Sequence, residues 1–240
     1  MVHASLSLPS RPETPLVLLA GLLCDETVWQ AQASSLEGFA DVHVRCFQHQ
    51  RTIEQMAEFV LDTCPPVFAL AGHSMGGRVA LEVVRRAPQR VQKLALLNTG
   101  IHTVRPGEAE KRQVLIDLAF RAGMETLANE WLPPMLSEHR LQDSALIDEL
   151  TQMVCRSTPQ IFEQQVRALL TRPDPRSFLP DIACRTFLAS GTHDRWSPLS
   201  QHEEMAALIP GSRVIAIENS GHMSLSEQPA AVTDLLRVLL

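Results

Sequence analysis

Residues 67–84 read VFALAGHSMGGRVALEVV, and this stretch decides how the rest of the chain is interpreted. It places a histidine, a serine and a methionine among three glycines, between two apolar runs. The run before the glycines is short and rich in strand-forming residues, whereas the run after them suits a mostly buried helix. The stretch therefore predicts a strand, a very tight turn and a helix, with Ser74 at the apex of the turn.

The turn itself, residues 72–76, matches the pattern G-x-S-x-G, the nucleophile elbow. A serine on a strained turn between a strand and a helix needs small neighbours, because the two elements approach closely there. Such a turn exposes the Ser74 hydroxyl above the sheet and points backbone N–H groups of the helix N-terminus at the reacting centre. The alternative is a glycine-rich turn whose serine merely caps a helix.

Short apolar runs alternate with helical patterns on both sides of this turn. Thr52 begins a helix through a capping box, and a final helix is predicted to end at Leu239. Strands are predicted at residues 16–20, 42–46, 67–71, 94–97, 186–190 and 213–217. Strands that alternate with helices predict an α/β fold, a mostly parallel sheet flanked by helices.

The pattern changes between residues 101 and 180, where apolar residues recur at helical spacing and prolines interrupt them. This segment is predicted to be a helical cap, inserted after the strand near Leu94–Leu97. Residues 1–100 and 181–240 would then form the core. The cap lacks a core of comparable size, so the chain is predicted to be a single domain overall.

Composition and charge exclude several classes of protein. With 240 residues, 45% of them hydrophobic and 20% charged, the chain can bury a substantial core. A formal charge of -6 argues against a nucleic-acid binder. The five cysteines are scattered without a CxxC pair, which favours reduced thiols in a cytoplasmic protein over disulfides or a zinc site.

No membrane association is expected from the sequence. The longest early apolar run, residues 16–23, is far too short to span a bilayer. The segment before it, MVHASLSLPSRPETP, lacks the positive lead-in of a signal peptide.

A nucleophilic serine needs a base, usually a histidine oriented by a carboxylate. Of the nine histidines, His222 lies directly after the last predicted strand and before the last helix. Asp194 follows the strand at 186–190, and the end of the strand at 94–97, a rival position for the acid, carries Asn98. The order Ser74, Asp194, His222, each after a parallel strand, predicts a catalytic triad. The alternative for Asp194 is a turn or helix-cap residue.

At this point the chain resembles the α/β-hydrolase superfamily, particularly its small, cap-bearing esterase-like members. The resemblance rests on four segments. They are residues 19–22 with the stretch that follows them as far as Trp29, residues 72–77 (GHSMGG), residues 191–194 (GTHD) and residues 220–222 (SGH). It implies Ser74 as nucleophile, His222 as base and Asp194 as the orienting acid, with an oxyanion hole formed by the backbone N–H groups of Leu22 and Met75. Relatives have an early antiparallel hairpin, which must be shortened or partly missing here.

The chemistry implied is acyl transfer by a carboxylic ester hydrolase, with no cofactor and no metal. Serine rather than aspartate at the elbow excludes the halide-displacing and epoxide-opening branches. Alternatives are hydrolysis of an enol-lactone or a carbon–carbon bond, and a slow-turnover, receptor-like ligand-binding protein. The expected partner is a small-molecule substrate, and the chain is expected to be a monomer or homodimer.

The residues flanking the reacting groups are mostly apolar, which predicts an apolar substrate pocket. Leu23, Trp196 and Met223 are its candidate lining residues, although core packing is an equal alternative for Trp196. A basic cluster for a coenzyme A phosphate is not evident. Three basic residues lie near the beginning of the cap: Arg105, Lys111 and Arg112. They could contact an acidic substrate, but a solvated helix face is the favoured interpretation.

Overall fold

A six-stranded parallel sheet forms the centre of the protein, whose computed structural model describes residues 14–240. The strands are β1 (Leu16–Leu19), β2 (Val42–Arg45), β3 (Phe68–His73), β4 (Val91–Leu97), β5 (Arg185–Gly191) and β6 (Arg213–Ile217). Their order in the sheet is β2-β1-β3-β4-β5-β6, and every neighbouring pair is parallel. The predicted fold class is confirmed.

Nine α-helices accompany the sheet within the described residues. They are α1 (Gln30–Ser35), α2 (Ile53–Thr63), α3 (Met75–Arg86), α4 (Glu108–Trp131), α5 (Ser144–Cys155), α6 (Pro159–Leu170), α7 (Leu199–Ala206), α8 (Ser224–Glu227) and α9 (Pro229–Leu239). The Thr52 hydroxyl caps α2 by accepting a hydrogen bond from the Gln55 N–H at 3.2 Å, as its capping box predicted. None of the helices is long and apolar enough to cross a membrane.

The burial of the strands explains their sequences. All residues of β1 and β3 are buried, which is why these strands are continuous apolar runs rather than alternating ones. The chain leaves β1 for β2 on one side and returns to β3 on the other, so the strand order reverses between β1 and β3. In parallel sheets, such a reversal opens a crevice at the carboxyl ends of the strands, where ligands bind.

Helices α4, α5 and α6 lie between β4 and β5 in the chain and form the predicted cap. The long helix α4 contains a break at Gly123, whose φ is 86°. Trp131 of α4 packs edge-on against Phe162 of α6, with ring centroids 6.2 Å apart. The expected early hairpin, and the first part of the predicted core segment 1–100, lie outside the described residues.

The residues of the turn between β3 and α3 lie very close to one another and to β1. A Cβ on Gly72 would lie 2.3 Å from the carbonyl oxygen of Gly76, and a Cβ on Gly76 would lie 2.4 Å from that of Leu19. Real Cβ atoms do not approach backbone oxygens so closely. Glycine is therefore required at both positions by the packing of strand and helix, as the sequence predicts.

We expect Gly76→Ala to lower the free energy of unfolding by about 1–3 kcal/mol, because the new methyl group forces the backbone of β1 and α3 apart. In an open helix the same change would instead stabilise the protein by up to about 1 kcal/mol. Urea unfolding followed by circular dichroism shows whether the free energy of unfolding falls or rises. Unchanged or increased stability would contradict the close approach.

Candidate active site

Ser74 lies at the apex of the turn, in a backbone conformation that few residues other than glycine adopt. Its φ is 53° and its ψ is -114°. The turn is fixed because the Ser74 N–H donates to the carbonyl oxygen of Leu97 at 2.9 Å, and the Thr99 hydroxyl donates to the Ser74 carbonyl oxygen at 2.8 Å. A strained residue held this firmly is typical of functional sites.

Of the three residues predicted as a triad, His222 lies within hydrogen-bond distance of both Ser74 and Asp194. His222 Nε2 is 2.9 Å from Ser74 Oγ, and His222 Nδ1 is 2.9 Å from Asp194 Oδ2. An ionised carboxylate only accepts hydrogen bonds, so Nδ1 carries a proton and donates a hydrogen bond to Asp194. Nε2 then presents its lone pair to the serine hydroxyl, which is the arrangement a general base needs.

Asp194 is buried but remains an anion because it accepts several hydrogen bonds. Its Oδ1 accepts from the N–H groups of Trp196 and Ser197 at 2.8 and 2.9 Å. Burial alone would raise the pKa of Asp194. The adjacent His222 and the hydrogen bonds from its surroundings outweigh burial and hold this pKa far below its usual range.

Asn98 connects Asp194 to the loop that carries His222, called the histidine loop below. In the sequence, Asn98 was only a rival position for the acid that carries no acid. Its Nδ2 donates to Asp194 Oδ2 at 2.9 Å and to the carbonyl oxygen of Gly221 at 3.2 Å. The Ser224 hydroxyl donates to its Oδ1. Asn98 therefore supports the carboxylate and the histidine loop together from the end of β4.

His73, the residue before the serine, holds the histidine loop from below. It is buried, and its Nε2–H donates to the carbonyl oxygen of His222 at 2.9 Å. Burial and the neighbouring His222 ring lower the pKa of His73 to about 3, so it stays neutral. Its Nδ1 has no hydrogen-bond partner among the described residues.

The cap also contacts the histidine loop directly. The His222 N–H donates to the carbonyl oxygen of Met135 at 2.6 Å. The buried Glu227 carboxylate accepts from the Gly221 N–H at 2.8 Å and from the Ser137 N–H at 2.9 Å. Glu227 thus joins the loop that carries His222 to the segment that follows α4.

The predicted oxyanion-hole donors, Leu22 and Met75, both line the cavity in front of Ser74. Neither N–H has an acceptor among the described residues. The oxyanion turn is held by Gln165 of α6, whose side-chain oxygen accepts from the Leu23 N–H at 2.8 Å and whose amide nitrogen donates to the Phe47 carbonyl oxygen. Gln165 has no local sequence signal for this role, because its partners are more than a hundred residues away in the chain.

A cavity of about 490 Å³ opens in front of Ser74 and His222. Two of the candidate pocket residues, Trp196 and Met223, are among the residues that line it. Trp196 lies 5.6 Å from the His222 ring, centroid to centroid, and 6.2 Å from Trp131 of the cap. These residues give the cavity an aromatic wall beside the reacting groups.

Leu23 was expected to line this cavity, but the structure places it elsewhere. It is buried and is not among the lining residues; its neighbours Leu22 and Cys24 line the cavity instead. The physical reason is the left-handed backbone at Leu23, whose φ is 58°, which reverses the chain at this point.

The cavity is more basic than the sequence predicted. Among its lining residues are five cations, Arg78, Arg105, Lys111, Arg112 and Arg172, and one carboxylate, that of Glu108. The favoured expectation of a solvated helix face for Arg105, Lys111 and Arg112 is therefore wrong in part, because all three line the cavity that Ser74 also lines, although Arg105 and Lys111 are exposed. The basic cluster that was not evident in the sequence is assembled by folding.

No three histidine, cysteine, aspartate or glutamate side chains of residues 14–240 are grouped in a way that could hold a metal ion.

A parallel sheet, a strained serine at the β3–α3 turn and an inserted helical cap define a class of hydrolytic enzymes. The model of the alpha/beta hydrolase family matches residues 8–235, and the chain belongs to this family.

Two esterases and an enol-lactonase are among the proteins that the chain is similar to. Pimeloyl-[acyl-carrier protein] methyl ester esterase of Nitrosomonas europaea is 27% identical over 241 residues, covering 92% of this chain and 94% of the relative. A thermophilic esterase from Thermogutta terrifontis, solved with malate bound, superimposes with a TM-score of 0.86 at 27% identity, over 95% of this chain and 89% of the other. The enol-lactonase from Burkholderia xenovorans shares the fold, with a TM-score of 0.84 at 23% identity, over 95% and 92% of the two chains.

The depressed pKa of Asp194 makes folding stability depend on pH. Because the folded-state pKa lies below the unfolded value of about 3.9, the stabilisation is complete above the unfolded pKa and is lost as pH falls towards the folded one. We expect Asp194→Asn to cost about 2 kcal/mol of unfolding free energy at pH 7. The difference from the native chain should shrink between pH 5 and pH 3.

Urea unfolding at a series of pH values measures this difference. Asp148→Asn, on the exposed face of α5, is the matched control and should change stability little at any pH. A cost of Asp194→Asn that stays constant from pH 7 to pH 3 would contradict the assigned ionisation.

Proposed function

We propose that the protein is a serine hydrolase that cleaves a small, largely apolar carboxylic ester through an acyl-enzyme intermediate. Ser74 is the nucleophile, His222 the general base and Asp194 the acid that orients it. The observation that carries this proposal is the continuous set of hydrogen bonds from Ser74 through His222 to Asp194, each 2.9 Å long.

In the first half of the reaction, Ser74 Oγ attacks the ester carbonyl carbon while His222 Nε2 takes the hydroxyl proton. The negative charge that develops on the carbonyl oxygen is stabilised by the N–H groups of Leu22 and Met75; loss of one such donor typically reduces the rate by two to three powers of ten. His222 then gives its proton to the departing alkoxide, which leaves as the alcohol.

In the second half, water replaces the alcohol. His222 takes a proton from the water, whose oxygen attacks the acyl carbon, and Ser74 recovers its proton as the carboxylic acid leaves. The Asp194 carboxylate stabilises the imidazolium in both halves. The chain's own groups supply every proton transfer, so the proposal requires no cofactor.

The cavity and the relatives support a small, largely apolar ester as the substrate. The aromatic wall of Trp131 and Trp196 beside His222 suits an apolar group, and about 490 Å³ suits a small molecule. The relatives named above are esterases, and the enol-lactonase with the same fold favours a second candidate, a lactone. A lactone is an internal ester, so the same residues would open it by the same steps.

We propose further that residues 101–180 act as the cap of a core formed by residues 1–100 and 181–240, in one domain. Hydrogen bonds of the segment after α4 with Glu227 and His222 support this division, since the cap then completes the site rather than folding as a separate unit. A cytoplasmic location and a monomer or homodimer remain predictions from the sequence.

Hydrolysis of p-nitrophenyl esters of increasing acyl length tests the proposal. The native chain should turn over the short esters, and Ser74→Ala should reduce kcat by at least about 10⁴-fold, because no other group takes the place of the nucleophile. The acyl length at which kcat/KM falls measures the apolar part of the cavity.

Ser34→Ala serves as a matched control, because this serine is exposed on α1 and does not line the cavity. It should retain measurable turnover. Activity in Ser74→Ala equal to that of the native chain would contradict the proposal. So would the absence of turnover by a folded native chain, and that result would favour a receptor-like protein.

A further inference from the structure

Arg78 projects into the same cavity as the nucleophile. It lies on α3 four residues after Ser74, so the two share one face of the helix, about 6 Å apart along its axis. Its side chain is half-buried and lines the cavity together with Ser74 and His222. Its guanidinium has no hydrogen-bond or ion-pair partner among the described residues.

The one carboxylate that lines the cavity is already occupied by other arginines. Arg172, whose side chain is only 5% exposed, donates to both oxygens of Glu108 at 2.8 Å. Arg112 Nε donates to the same carboxylate at 3.0 Å, and the Arg105 N–H at 3.1 Å. Glu108 therefore leaves no acceptor for Arg78.

Two more cations of the cap face the cavity without a carboxylate partner among residues 14–240. Arg105 and Lys111 are exposed, so they lie at its mouth, while Arg78 lies deeper. The cationic charge is therefore concentrated on the α3 and α4 side of the cavity. The aromatic residues Trp131 and Trp196 form the wall next to His222.

An arginine in this position is held at an energetic cost. Burial and the nearby Arg172 lower the pKa of Arg78 to about 9, and the more distant Glu108 compensates only in part. A buried charge is normally paired, and a planar guanidinium matches a carboxylate through two parallel hydrogen bonds. The Arg78 side chain lines the cavity that contains Ser74 and His222, the space that the substrate must occupy.

We propose that this cavity selects esters whose acyl group ends in a free carboxylate, which Arg78 binds while Lys111 and Arg105 attract it to the mouth. The substrate class is thus the monoester of a short dicarboxylic acid, or a small lactone that carries a free carboxylate. This inference rests on the proposed function, because it places the ester carbonyl at Ser74. The carbon chain between ester and carboxylate lies along the apolar part of the cavity.

Paired substrates of equal size test the selection. The p-nitrophenyl monoesters of succinic, glutaric and adipic acids are compared with the corresponding esters whose free carboxylate is replaced by a carboxamide. We expect the native chain to prefer the carboxylate member at one or more of these lengths by about 10- to 100-fold in kcat/KM, the range of a charge-assisted hydrogen-bonded pair. No preference at any length would overturn the proposal.

Substitutions assign the preference to Arg78. In Arg78→Met the ratio of the two kcat/KM values should fall towards one, and in Arg78→Lys, which keeps the charge without the planar fork, it should be intermediate. Arg121→Gln removes one positive charge from α4 outside the cavity and should keep the native ratio. An equal fall in Arg121→Gln would show general attraction of anions and overturn the role of Arg78.

Binding without turnover separates the two proposals. Monomethyl glutarate and dimethyl glutarate are titrated calorimetrically into Ser74→Ala, with and without Arg78→Met. Tighter binding of the monomethyl ester, lost with Arg78→Met, supports the carboxylate site even if the native chain hydrolyses no ester. Hydrolysis of neutral esters without any binding preference would overturn the carboxylate site and leave the serine hydrolase intact.

Discussion

The close approach of α3 to β1 is the constraint on which the rest of the site depends. Because Gly72 and Gly76 carry no Cβ, the strand can turn directly into the helix at the reversal of strand order. This geometry forces Ser74 into a conformation that exposes its hydroxyl at the crevice. It also directs the N-terminus of α3 at the same point, and it places Arg78 one turn further along the helix in the same cavity.

The cap and the core hold the reacting groups jointly. The loop that carries His222 is fixed by His73, by Asn98 and, from the cap, by Met135. Glu227 of α8 binds the same loop and also the Ser137 N–H of the cap. Motion of the cap would therefore move the proposed base as well as the walls of the cavity. Access of substrate and positioning of the base are coupled in this arrangement.

Much of this arrangement follows from local pattern. The last strand occupies residues 213–217 as predicted, and the serine turn follows from its glycines and flanking runs. The cavity was harder to predict, because its character depends on how distant elements pack. Helical spacing shows that Arg112 lies on a face of α4, but not that this face covers Ser74. Leu23 was misplaced because a left-handed residue in a turn has no reliable sequence signal here.

The central claim is that an acyl group is transferred to Ser74. The most direct measurement is rapid mixing with p-nitrophenyl acetate, followed by acid quenching and mass spectrometry of the peptides. We expect an acetyl group on the peptide that contains Ser74, formed at the rate at which p-nitrophenolate is released in the first turnover. Release of p-nitrophenolate with no acetyl group on Ser74, or with acetylation of another residue only, would contradict the account.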